Sequence, residues 1–146
     1  MSAHTLVLIA AILLSPAALA QKTPVFSDRD GAIRGHDAVA YFDQKGPQKG
    51  SKKFAHSWRG ATWYFASAEN RDKFAAEPEL YAPRFGGYCA YAVAQGYTAD
   101  IDPMAWSIVE GRLYLNYSLS VRERWNKDIS GYIRKADGNW PAVLQR

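Results

Sequence analysis

Cysteine is almost missing from this chain: Cys89 is the single one in 146 residues. No intramolecular disulfide can form, so the fold has to hold by packing. C-x-x-C and H-x-x-x-H pairs are absent too, which argues against a closed structural zinc site. Nothing matches a Ser-His-Asp arrangement, a phosphate-binding loop or a paired-carboxylate site. Long apolar runs are also lacking. Leu6 to Leu14 is the main one, and it falls short of the roughly 20 residues a membrane-spanning helix needs. The net charge of +4 favours solubility and mild attraction to acidic surfaces without being a nucleic-acid signature. Internal repeats, low-complexity tracts and linkers are not seen.

Lys, Arg, Asp and Glu are absent from the first twenty residues. There an apolar run is followed by Pro16 and by the small-x-small pattern Ala18-Leu19-Ala20, so residues 1–20 read as a cleavable signal peptide and the protein as periplasmic or secreted. A buried N-terminal helix is the bland alternative. No cysteine lies near Ala20 for lipid attachment, no twin-arginine pair is present, and no membrane anchor is expected after cleavage. The mature chain, residues 21–146, has the size of one domain with one core.

Along that chain, residues 21–34 are polar and turn-rich and predict a loose arm. Ala38 to Phe42 predicts a short strand, followed by a basic loop. Phe54–Trp58 and Ala61–Ala66 alternate around Arg59-Gly60 and predict a hairpin; Met104–Val109 and Arg112–Tyr117 predict a second across Glu110-Gly111. In the latter, alternation pairs Leu115 with Tyr117 on one face and Tyr114 with Asn116 on the other. Ser67 predicts an N-cap with Asn70 in the capping-box place, for a helix to about Ala76. A helix from Tyr88 to Gln95 ends at Gly96. Ser120 and Ser130 predict caps for two further helices. The expected fold is a small α+β domain with two β-hairpins and several short helices.

Cys89 is the first candidate for chemistry. Near the start of a helix entered through Gly86-Gly87, it has unpaired backbone N–H groups that favour an anion, which makes a thiolate plausible. The competing reading is a packed cysteine acting as a small hydrophobe. As metal-ligand candidates the residues offer Cys89, His36, Asp37 and His56. His36 reads as a turn residue or a loop-borne functional one. His56 shares a strand face with Phe54 and Trp58, where a half-buried structural role competes with ligation.

Residues Tyr64–Ala92, YFASAENRDKFAAEPELYAPRFGGYCAYA, together with Gly35-His36-Asp37-Ala38-Val39-Ala40-Tyr41-Phe42 and Gly50-Ser51, resemble the YHS domain. The chain is similar to the exported bacterial branch often labelled YHS domain-containing (seleno)protein, with the likeness running from about Ile33 to Leu144. The resemblance implies a YHS-like domain over residues 35–146. It also implies a role for the chalcogen beyond packing, because some members carry selenocysteine where this chain has Cys89. Metal-binding YHS domains place cysteines where Ala40, Ala66 and Asn70 stand here, so their metal site does not transfer. The preferred expectation is a binding or redox module centred on Cys89. In it a soft ion such as copper(I) is bound, or a mixed disulfide forms, with His36 as second ligand or base and Asp37 orienting it. The alternatives are a thiol-dependent oxidoreductase, which lacks a resolving cysteine of its own, and a non-catalytic scaffold with a buried structural cysteine. The protein partner is open.

Overall fold

The computed structural model describes residues 21–43 and 46–146; the proposed signal peptide lies outside them. The expected α+β class is borne out. Strands pair as three antiparallel hairpins, β1 (Ser27–Asp28) with β2 (Gly31–Ala32), β3 (Ser51–Trp58) with β4 (Ala61–Phe65), and β5 (Asp102–Val109) with β6 (Arg112–Asn116). Helices α1 (Ala68–Ala76), α2 (Pro78–Tyr81) and α3 (Ala90–Gln95) lie between the second and third hairpins, and α4 (Leu119–Asn126) and α5 (Ile129–Asn139) follow the third. None of the described helices is long and apolar enough to cross a membrane.

Both larger hairpins close through two residues with positive φ, Arg59 (49°) and Gly60 (75°), and Glu110 (49°) and Gly111 (74°). Two left-handed residues match the right-handed strand twist, and glycine at the second position carries no Cβ penalty. The resulting register sets His56 opposite Trp63 and Trp106 opposite Leu115.

Two apolar clusters share β6. Leu113 and Leu115 enter one with Trp63, Phe65, Phe74, Tyr41 and Cys89. Tyr114 enters the other with Phe85, Val93 and Trp125. Alternation therefore holds along the strand, yet both faces are buried, because each is covered by its own cluster. Tyr117 does not share the burial of Leu115: it lies beyond the strand end and is 57% exposed.

Several expectations need correction. Residues 21–34 are not a loose arm. Val25, Ala32 and Ile33 are buried, and the backbone is tied by Lys22 N–H to Leu144 O and Phe26 N–H to Gly86 O. Three apolar positions among turn residues carry no periodicity that would reveal this. Ala38 to Phe42 is not a strand, since a 3-10 helix forms at Ala40–Asp43. Asp37 Oδ1 accepts from the N–H groups of Val39 and Ala40, a local bond that outcompetes strand pairing.

Ser67 caps α1 by accepting from Asn70 N–H. The Asn70 side chain does not reach back to it as in a capping box; it donates to Asp37 Oδ2. Helix α4 is capped by Ser118 and α5 by Asp128, not by Ser120 and Ser130. In each case the residue still in extended or non-helical backbone takes the cap, as its side chain must reach forward to N3. At Gly131, under the second cap, a Cβ would overlap the Asp128 carboxylate and the capping side chain would have to shift.

Candidate functional site

Helix α3 begins at Ala90, two residues later than the sequence suggests. With φ −54° and ψ 117°, Cys89 is the N-cap residue of a six-residue helix and not its second position. Its N–H donates to Ala99 O and its carbonyl accepts from Val93 N–H, so the backbone around the thiol is fixed on both sides.

The side chain is 1% exposed. Sγ accepts from Tyr117 N–H at 3.2 Å, and the thiol lies 3.6 Å from Asn116 Oδ1, to which it donates. Burial raises the thiol above its ordinary ionisation range, while the backbone N–H groups of Ala92, Tyr117 and Tyr91 act in the opposite direction without prevailing. The activated thiolate expected from the helix start is therefore not what this environment favours: loss of hydration outweighs the donors. Tyr117 also walls a shallow surface cleft with Arg34, Asp100 and Asp102. Arg34 forms an ion pair with Asp100 there, and Cys89 is not among the residues lining this cleft.

Asn116 is the partner that sequence reasoning passed over. It is fully buried, and its Oδ1 accepts from Tyr91 N–H at 3.0 Å as well as from the thiol. Those two donors fix the amide's orientation. They leave Nδ2 buried without a partner among the described residues. A lone polar residue ending the apolar run Leu113-Tyr114-Leu115 was the signal available in the sequence.

The other candidate ligands are engaged elsewhere. Asp37 is fully buried and accepts four hydrogen bonds, from Val39 and Ala40 N–H on Oδ1 and from Ala66 N–H and Asn70 Nδ2 on Oδ2. Such saturation ties the segment after His36 to the end of β4 and to α1, and leaves no lone pair directed at a metal or at His36. His36 Nδ1 meets Arg34 O at 3.1 Å, and desolvation lowers its pKa. His56 stands edge-on to Phe74 with ring centroids 6.1 Å apart, sharing its half-buried face with Phe54 and Trp58 as the alternation predicted. Among the described residues no three His, Cys, Asp or Glu side chains gather as a metal-holding group. The set Cys89, His36, Asp37 and His56 does not fit a copper centre: Asp37 is saturated, and neither His36 nor His56 is among the hydrogen-bond partners of the sulfur.

A second concave region is lined by other residues. A cleft of about 230 Å³ is lined by Trp58, Arg59, Glu79, Arg84, Arg112 and Trp140 above a floor that includes Trp63 and Phe85. These residues come from β3, β4, β6, the turn after β3, α2, the Arg84–Gly87 turn and the C-terminal segment, which is why no local motif announces them.

The fold and these two regions define a small α+β domain with one enclosed thiol and one arginine-rimmed cleft. Comparison with protein-family models, with curated proteins and with solved structures finds no match.

Proposed function

We propose that the chain is an exported, YHS-like scaffold and binding domain, without thiol catalysis, in which Cys89 has a structural role. The observation that supports this is the enclosure of the sulfur: 1% exposed, hydrogen-bonded to Tyr117 N–H and Asn116, and held as the thiol by burial. Reactive cysteines sit in accessible, electropositive surroundings that lower their pKa, and buried ones are inert. Cys89 then joins the start of α3 to the end of β6, the place where the two apolar clusters meet.

A second reading, reversible oxidation of Cys89, is favoured by one observation, the buried Asn116 Nδ2 without an acceptor beside the thiol. In that reading the sulfur attacks a peroxide, ROOH, and the O–O bond breaks. Sulfenic acid forms on Cys89, and the thiol proton leaves with the alkoxide as ROH. Nδ2 donates to the new oxygen, and two external thiols return the cysteine, releasing water and a disulfide.

Peroxide treatment in the presence of a sulfenic-acid-trapping nucleophile, followed by mass spectrometry of the Cys89 peptide, separates the two. The structural reading predicts an adduct in denaturant and none in the folded protein. An adduct forming in the folded protein as fast as in the unfolded one overturns it in favour of the redox reading.

A further inference from the structure

We infer that the arginine-rimmed cleft is a binding site for a small planar aromatic carboxylate, a site distinct from Cys89 and independent of the role assigned to it. Charge is the first support. Three guanidinium groups, Arg59, Arg84 and Arg112, line a cleft whose lining holds one carboxylate, Glu79. Arg59 is paired with Glu79 at 2.8 Å and Arg84 with Asp137 at 2.8 Å. Arg112 is different: Nη1 donates to the Glu79 carbonyl oxygen at 2.8 Å, and among the described residues the group forms no ion pair. Its charge is held in place by a neutral acceptor, and the remaining N–H groups suit a carboxylate, which takes two parallel bonds from a guanidinium fork.

Shape is the second support. Trp58 and Trp140 flank the cleft over a floor that includes Trp63, itself 1% exposed, and Arg59 lies over the Trp58 ring at 4.3 Å from its centroid. Aromatic side chains lining a cleft favour an aromatic ligand. A volume of about 230 Å³ lies below the roughly 300 Å³ at which drug-sized sites begin, so a single-ring acid is the fitting size.

The backbone beneath the cleft is a third, separate observation. Phe85 holds φ 59° although it is not glycine, and Gly86 follows at φ 64° where a Cβ would overlap the Pro24 carbonyl oxygen. Sparsely populated backbone of this kind persists where surrounding structure fixes it and clusters at ligand clamps.

Benzoate is the probe, with benzamide as its neutral isostere. The five tryptophan indole N–H signals are followed by NMR during titration of the full mature chain. Binding at the cleft moves Trp58, Trp63 and Trp140 saturably and leaves Trp106 and Trp125 in place, and benzamide binds at least about tenfold more weakly. Arg112→Gln lowers benzoate affinity by at least about tenfold, and Arg112→Lys, which keeps the charge and loses the fork, gives a smaller loss. Both variants are checked for unchanged signals at Trp106 and Trp125, so that misfolding is not read as lost binding. Shifts that do not saturate, equal binding of benzamide, or full affinity in a folded Arg112→Gln protein each overturn the assignment.

Discussion

Asp37→Ala is expected to lower the unfolding free energy by about 3–5 kcal/mol, because it strands several buried donors at once. The carboxylate is fully buried and accepts from Val39, Ala40, Ala66 and Asn70. Bonds to an ionised acceptor are worth about twice those between neutral groups, and two of these donors are the main-chain N–H groups of the buried residues Val39 and Ala40. For a domain whose total stability is about 5–15 kcal/mol, such a loss threatens folding itself. Asp37→Asn is the milder probe. It preserves shape but turns one acceptor into an NH₂ group facing donors, and about 2–3 kcal/mol should be lost. Denaturant unfolding of both variants checks the result; a change under 1 kcal/mol for Asp37→Ala contradicts the structural assignment and returns Asp37 to the list of functional groups.

Phe74→Ala should be comparably damaging, at about 3–5 kcal/mol. Phe74 is the hub of the first cluster, fully buried, with ring centroids 4.8 Å from Trp63, 5.1 Å from Phe65 and 5.7 Å from Trp58. Truncation opens a cavity beneath β3 and β4, and the surrounding indoles cannot collapse into it without leaving their register. Phe74→Leu retains much of the volume and should cost less than about half as much. Thermal unfolding of the pair gives the comparison, and near-equal effects contradict the view of Phe74 as a packed hub.

Much of the fold was legible in the sequence because its signals are local. Arg59-Gly60 and Glu110-Gly111 flanked by alternating aromatic and apolar residues announce the two larger hairpins, and Ser67 and Gly96 mark helix ends by their own chemistry. Residues 21–34 and 38–42 were misread because long-range contacts and one carboxylate decide them. Val25 and Ile33 are buried by partners far along the chain, and Asp37 bends its own segment. Ser118 and Asp128 displaced the expected caps because each is still in non-helical backbone and its side chain accepts from the N–H three residues on.

The site was legible to a smaller degree. Cys89 stood out as the lone thiol, and its neighbours in sequence suggested activation by a helix start. Its burial, its bond to Tyr117 N–H and its pairing with Asn116 are tertiary facts. The arginines of the cleft lie at positions 59, 84 and 112, so only folding assembles them.

The central claim, that the folded protein holds Cys89 as an enclosed thiol, is tested most directly by the pH dependence of stability in the wild type and in Cys89→Ala. A group whose folded pKa is raised gives stability that is present below its unfolded value, about 8.5 for cysteine, and lost as pH rises above it. Denaturant unfolding between pH 7 and about 9.5 stays below the ordinary range of tyrosine, about 10. In that interval the wild type should lose stability with a limiting slope of about 1.4 kcal/mol per pH unit from this group, and Cys89→Ala should lack that component. A wild type that instead gains stability from pH 7 to about 8, with the gain abolished in Cys89→Ala, would mean that the fold stabilises the thiolate, and it would contradict the account.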